Sequence, residues 1–77
     1  MTRVGELRIM GPQGDSTVTW DPDVAEEVDE VRQRFDQVIR EGYLVFELDE
    51  ETSEGRQVRT FDRTLSRLRA FRPMVGG

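Results

Sequence analysis

The last two residues, Gly76 and Gly77, are the part of this 77-residue chain whose residue types point most directly to chemistry. Glycine has no Cβ, so its backbone can enter a channel too narrow for any other residue and can adopt φ angles of either sign. A carboxylate behind such a backbone is easy for another protein's active site to reach. It becomes an acyl donor once its oxygen is made a good leaving group, which requires no catalytic side chain from the chain that carries it.

The four residues before these glycines favour an extended tail. Pro73 lacks an N–H, resists pairing into a sheet and pushes Arg72 towards an extended conformation. Six extended residues from Arg72 onward reach roughly 20 Å. We predict a folded domain over residues 1–71 and a flexible tail over 72–77, although chain ends are also commonly disordered without any function. The residues through which a partner would recognise the tail are Arg72, Pro73, Met74 and Val75.

The composition argues against catalysis by the chain itself. It contains no Cys and no His, so it lacks a thiol nucleophile, an imidazole base and the usual soft metal ligands, and no disulfide can form. Carboxylates are plentiful, but Glu26, Glu27 and Glu30 are predicted on an exposed helical surface, where solvated charge is the ordinary outcome. We therefore expect no enzyme activity and no bound cofactor or metal.

Net charge and hydropathy restrict the partners and the location. The formal net charge of −5 disfavours contact with phosphate backbones, so no nucleic-acid partner is expected. No apolar run approaches the ~20 residues of a membrane span, and the first residues do not form a signal peptide. The expectation is a monomeric cytoplasmic protein that does not bind membranes.

Two alternating stretches predict a β-hairpin at the start of the chain. Apolar and polar residues alternate over about residues 3–10 and again over 16–20, the period of strands with one buried face. Residues 11–15 between them are rich in turn formers and predict a five-residue loop.

The period changes at Asp21, where a helix of about 18–20 residues is predicted. Asp21 suits the N-cap, Pro22 suits the first helical position, and Gly42 suits the position after the C-cap. We expect this helix to pack on a sheet, with a partner-binding amphipathic helix as the alternative. Its narrow apolar stripe consists of Val24, Val28, Val31, Phe35 and Val38.

The second half of the chain predicts further strands. Residues 43–48 are the most apolar run and are predicted as a central strand, with Leu44, Phe46 and Leu48 facing the helix. An acidic loop is predicted over residues 49–55 and a short strand over 56–61. Residues 63–67 are compatible with a helical turn, and residues 68–71 are predicted as a last strand.

One helix between two groups of strands can bury its stripe only by lying across one face of their sheet. This predicts a two-layer α+β domain with a mixed sheet of four or five strands; the sheet would be mixed if the first and last strands pair in parallel. The order of elements resembles the β-grasp fold of ubiquitin-like proteins. The tail over 72–77 resembles the Gly-Gly ends of small sulfur carriers of that family, such as the small subunit of molybdopterin synthase, and of ubiquitin-like modifiers, including short bacterial ones.

The resemblance implies how the tail would be used. An adenylating enzyme would activate Gly77 with its own ATP, and Gly76 would let the tail enter that enzyme. The activated chain would then pass as a thioester to target proteins, with a conjugating enzyme and a deconjugating peptidase as further partners, or become a thiocarboxylate. Three functions stay open: a protein modifier, a sulfur carrier, and a non-covalent β-grasp binding module.

The resemblance also implies recognition through the exposed face of the sheet. If the even-numbered residues of the 43–48 strand face the helix, its odd-numbered residues point outward. Core packing of Tyr43 is an equally good alternative. The candidate partner surface therefore consists of Tyr43, Val45, Arg69 and Phe71.

All 11 basic residues of the chain are arginines. Ubiquitin uses its own lysines as acceptors when it forms chains, and this sequence offers no side-chain amine. A modifier of this composition would be attached singly or through its N-terminus.

Overall fold

The computed structural model describes residues 4–11, 14–49 and 54–72. The tail residues 73–77 and parts of the expected loops over 11–15 and 49–55 lie outside these ranges. The described residues form five strands and one helix: β1 Gly5–Gly11, β2 Gly14–Trp20, α1 Ala25–Arg40, β3 Leu44–Leu48, β4 Gly55–Gln57 and β5 Arg67–Phe71.

The strands form one mixed sheet with the order β2-β1-β5-β3-β4. β1 and β5 run in parallel, whereas β1 with β2, β3 with β5 and β3 with β4 are antiparallel. Helix α1 packs across one face of this sheet through its apolar stripe. The predicted two-layer α+β domain is confirmed, in an arrangement compatible with the β-grasp fold. β5 lies in the middle of the sheet, and β3 is also an interior strand, as predicted for residues 43–48, because it pairs with β5 on one side and β4 on the other.

The hairpin strands extend further towards each other than the sequence predicted. Gly11 pairs with Gly14, so β2 begins at Gly14 and not at Ser16. Gly14 has a φ angle of 125°, a conformation that side chains with a Cβ rarely adopt. A glycine at this position therefore allows strand pairing to continue up to the connection.

Helix α1 begins three residues later than predicted. Val24 precedes it in an extended conformation and no side chain caps it. The predicted N-cap, Asp21, instead accepts the backbone N–H of Asp23 at 2.8 Å, and the Glu27 carboxylate accepts the N–H of Asp21 at 3.0 Å. Because the Asp21 carboxylate closes this local turn around Pro22, it is not available as a helix cap.

The apolar stripe of the helix is confirmed apart from its first member. Val24 lies outside the helix and is exposed. The helix ends as predicted: Gly42 has a φ angle of 94° and donates its N–H to Ile39 O, and Tyr43 donates to Val38 O. This pair of bonds is a Schellman motif, which requires the left-handed residue that glycine supplies. The helical residues buried in the core are Val28, Val31, Phe35 and Val38.

The core lies between α1 and the sheet and is closed at one end by aromatic residues. Trp20 is fully buried, its ring lies edge-on to Phe61 with centroids 5.4 Å apart, and Phe61 also contacts Phe35. The indole N–H of Trp20 donates to Arg63 O at 3.3 Å. A Cβ on Gly5 would overlap the Trp20 ring, so a glycine is required there.

The two faces of β3 are the reverse of the prediction. Val45 is fully buried in the core, whereas Leu44, Phe46 and Leu48 are only half-buried. The register explains this, because Val45 is the cross-strand partner of Ala70, whose side chain faces the core. A shift by one residue moves every side chain of a strand to the other face. The register with β5, and not the number of apolar residues on each side of β3, therefore decides which of its side chains face the core.

The segment between β4 and β5 is less regular than predicted. The strand expected over 56–61 covers Gly55–Gln57 only, and Val58 directly after it is buried. Asp62 then accepts the backbone N–H of Thr64 at 2.9 Å and its hydroxyl at 2.8 Å, and Leu65 N donates to Asp62 O. The segment over 63–67, which is compatible with a helical turn, thus begins as a turn closed by Asp62, and its last residue, Arg67, already belongs to β5.

Candidate functional site

The candidate site is the face of the sheet opposite α1, here called the outer face. Because side chains alternate along a strand, the neighbours of the buried residues Leu7, Val45 and Leu68 point to this side. Three adjacent strands form it. β1 contributes Glu6, Arg8 and Met10, β5 contributes Arg67, Arg69 and Phe71, and β3 contributes Leu44, Phe46 and Leu48.

An aromatic stack forms the apolar part of the outer face. The rings of Phe46 and Phe71 lie 5.4 Å apart between centroids and only 9° from parallel. Leu44 and Met10 are the cross-strand partners of Phe71 on either side. Phe71 retains 38% of its surface exposed, so the stack presents apolar area to solvent. An exposed apolar cluster of this kind on a small domain is typical of a contact surface.

Arginines flank the aromatic stack. Arg8 and Arg69 are direct cross-strand partners on β1 and β5, and Phe46 is the partner of Arg69 on its other side. Arg67 lies one step along β5 on the same face, opposite Glu6. The outer face is therefore locally basic on a chain whose net charge is −5.

The structure places the predicted partner surface only in part. Arg69 and Phe71 lie on the outer face, as predicted. Val45 does not: it is a core residue, and its assignment to the surface was wrong because the face of β3 was inverted. Tyr43 is half-buried and packs against the core, which is the alternative reading of that residue.

The sequence prediction missed seven members of the outer face. Pairing Val45 with Ala70 would have placed Leu44 and Phe46 on the outer face, because side chains alternate along a strand. The alternation of β1 already placed polar and basic residues opposite Leu7 and Ile9. The missed residues are Glu6, Arg8, Met10, Leu44, Phe46, Leu48 and Arg67.

The beginning of the predicted tail adjoins this region. Arg72 directly follows β5 and places its guanidinium 5.9 Å from the centroid of the Tyr43 ring, at the limit of a cation–π contact. The predicted recognition residues Pro73, Met74 and Val75 and the predicted conjugation residues Gly76 and Gly77 lie outside the described residues. Their roles therefore stay predictions.

The acidic residues of the described chain do not gather into a site. In that part of the chain no group of three or more His, Cys, Asp or Glu residues is close enough to hold a metal ion. Glu26, Glu27 and Glu30 are exposed on α1, as predicted. The pKa of Asp62 is lowered chiefly by the hydrogen bond from the Thr64 backbone, then by the Thr64 hydroxyl and the charge of Arg63. These contacts give Asp62 a local structural role in its turn.

Comparison with models of known protein families, with curated proteins and with solved structures found no match. Within residues 4–11, 14–49 and 54–72, no helix combines the length and the apolar character needed to cross a bilayer. The geometry of the domain is therefore the basis for a functional proposal.

Proposed function

We propose that this chain is a ubiquitin-like modifier that is activated at Gly77 and joined to amines of target proteins. The observation that carries the proposal is the position of β5. This strand is paired on both sides in the middle of the sheet, and the sequence leading to Gly77 starts at Arg72, directly after it. A tail attached to the central strand has a rigid origin next to a surface by which a partner can recognise the domain.

The proposed chemistry needs little from the chain itself. A carboxylate oxygen of Gly77 would attack the α-phosphate of ATP in an activating enzyme, releasing pyrophosphate and leaving an acyl adenylate. A partner thiol would attack the acyl carbon of the adenylate, forming a thioester and releasing AMP and a proton. An amine of the target would then attack the same carbon, forming an amide and releasing the thiol. The proposal takes Gly77 as the mature end, whether translation stops there or a peptidase exposes it.

Two other functions remain as alternatives. A sulfur carrier would share the adenylation step, but sulfide sulfur would replace one carboxylate oxygen of Gly77 and produce a thiocarboxylate. A non-covalent binding module would use the outer face alone, and the exposed Phe46–Phe71 stack favours this alternative.

The test uses the chain with an N-terminal tag in the cells where it naturally occurs. We expect denaturing purification to recover adducts heavier than their targets by one copy of the chain. Deletion of Gly76 and Gly77 should remove these adducts, whereas the exposed helix variant Arg32→Gln should leave them unchanged.

The products separate the alternatives. A free chain in which sulfur replaces one oxygen, without adducts, would identify the sulfur carrier and contradict the modifier. Full biological activity of the deletion variant would contradict both covalent functions and favour the binding module.

A further inference from the structure

We infer that Arg8 and Arg69 form a binding site for a carboxylate of a partner protein, and that the Phe46–Phe71 stack receives an apolar side chain beside that carboxylate. This inference goes beyond the proposed function. It concerns reversible binding to the outer face and holds whether or not Gly77 is activated.

The pairing of the two arginines is the first observation. Arg8 and Arg69 are cross-strand partners on adjacent parallel strands, which lie about 4.8 Å apart. Like charges directly opposite each other in a sheet destabilise it. Both side chains are half-buried, so water compensates for their repulsion less well than at a fully exposed position.

The chain does not neutralise this pair within its described residues. There, neither guanidinium has a carboxylate within ion-pair distance, and the covered Nε atom of Arg8 has no hydrogen-bond acceptor. Two carboxylates lie on the outer face of β1 and β2, but neither is directly opposite Arg8 or Arg69. In the register of the sheet, Glu6 is opposite Arg67 and Asp15 is opposite Met10. An external carboxylate between the two guanidinium groups would remove the like-charge cost.

The neighbours of the pair specify the kind of ligand. One row across the sheet runs Thr17, Arg8, Arg69, Phe46, so a hydroxyl lies on one side of the arginines and an aromatic ring on the other. Planar guanidinium groups bind carboxylates through two parallel hydrogen bonds. The adjacent stack accepts an apolar side chain.

Charge complementarity favours a protein partner over a nucleic acid. A phosphate backbone needs an extended basic surface, whereas the basic region here is a small part of a chain with net charge −5. A single carboxylate next to apolar side chains matches the size of the site. The occupant is therefore an acidic and apolar segment of another protein.

A pair of capped peptides provides the test. The probe acetyl-Leu-Ser-Glu-Ser-Leu-amide places Leu, Glu and Leu on one side when extended. Its control replaces Glu with Gln and so removes only the charge. Binding to the full chain is measured by ¹H–¹⁵N NMR that includes the arginine Nε–H signals.

We expect the Glu peptide to shift the signals of Arg8, Arg69, Phe46 and Phe71 and to bind roughly fivefold to tenfold more tightly than the Gln peptide. Raising NaCl from about 0.05 M to about 0.5 M should reduce this preference. Arg8→Gln and Arg69→Gln should each abolish it. The matched charge control Arg32→Gln, on the exposed side of α1, should retain it.

Equal affinity for the two peptides, or a preference that survives in the Arg8→Gln, Arg69→Gln double variant, would overturn the inference. Absence of shifts at both arginines, or shifts confined to α1, would overturn it as well. The signal dispersion of each variant reports whether it is folded. Arg8→Lys, which keeps the charge but loses the planar pair of donors, should be folded and should bind the Glu peptide less tightly than the parent does. Because no activating enzyme is present, the result leaves the proposal for Gly77 to its own test.

Discussion

Leu44 and Val45 are neighbours in β3 whose side chains lie on opposite faces of the sheet. Val45 is fully buried beside Ala70, whereas Leu44 lies on the outer face beside Phe71. We expect Val45→Ser to lower the free energy of unfolding by about 2–4 kcal/mol, because it leaves a cavity and a buried hydroxyl. Leu44→Ser should cost less than about 1 kcal/mol. Urea unfolding followed by Trp20 fluorescence measures both, and the reverse order would contradict the observed register.

Gly5 is a residue whose role follows from one contact. Its position against the fully buried Trp20 ring leaves no space for a Cβ. Gly5→Ala should destabilise the domain by about 1–3 kcal/mol through overpacking and should change the Trp20 emission. Gly55→Ala is the matched control in a strand, because a Cβ there would meet Leu48 at an ordinary 3.6 Å. If Gly5→Ala is as stable as Gly55→Ala, the packing of Trp20 against β1 is wrong.

At the scale of elements, the sequence predicts features that depend on the spacing of residue types. It misses features for which one side chain has two alternative local roles. The stripe of α1 and the stop at Gly42 follow from period and from backbone preference, and both are confirmed. The start of the helix depends on whether Asp21 caps it or closes a turn of its own. Both uses are local and similar in energy, so sequence pattern alone does not decide between them.

The turn before β5 makes a pH-dependent contribution to stability. The pKa of Asp62 lies below its ordinary value of 3.8, so folding favours the ionised carboxylate. Its contribution is therefore present above pH 3.8 and is lost as the pH falls through the lower folded-state pKa. Asp62→Ala should be less stable than the parent at neutral pH, and this difference should shrink in acid.

Unfolding free energies of the parent and of Asp62→Ala across this pH range provide the measurement. Asp23→Ala removes an exposed carboxylate elsewhere and serves as the control for general charge effects. A difference between the parent and Asp62→Ala that stays constant into acid would contradict the ionised hydrogen-bonded turn.

At the scale of the whole molecule, the order of elements was enough to predict a helix on a mixed sheet. A parallel pair between the first and last strands was the condition for a mixed sheet, and β1 and β5 form that pair. The composition of the outer face did not follow, because it depends on the register between β3 and β5, which are distant in sequence. One inverted strand moved Val45 to the surface and concealed the pairing of Phe46 with Arg69.

The central claim is that Gly77 becomes joined to other proteins. Trypsin cuts after Arg69 but not after Arg72, because Pro73 follows it. A conjugated target should therefore yield a branched peptide in which residues 70–77 are attached through Gly77 to an amine of the target. Mass spectrometry of tryptic digests from cells that contain the protein searches for this branch directly. We expect branched peptides that disappear when Gly76 and Gly77 are deleted. Finding unbranched peptides that end in a free Gly77 carboxylate, and no branched ones, would contradict the proposed function.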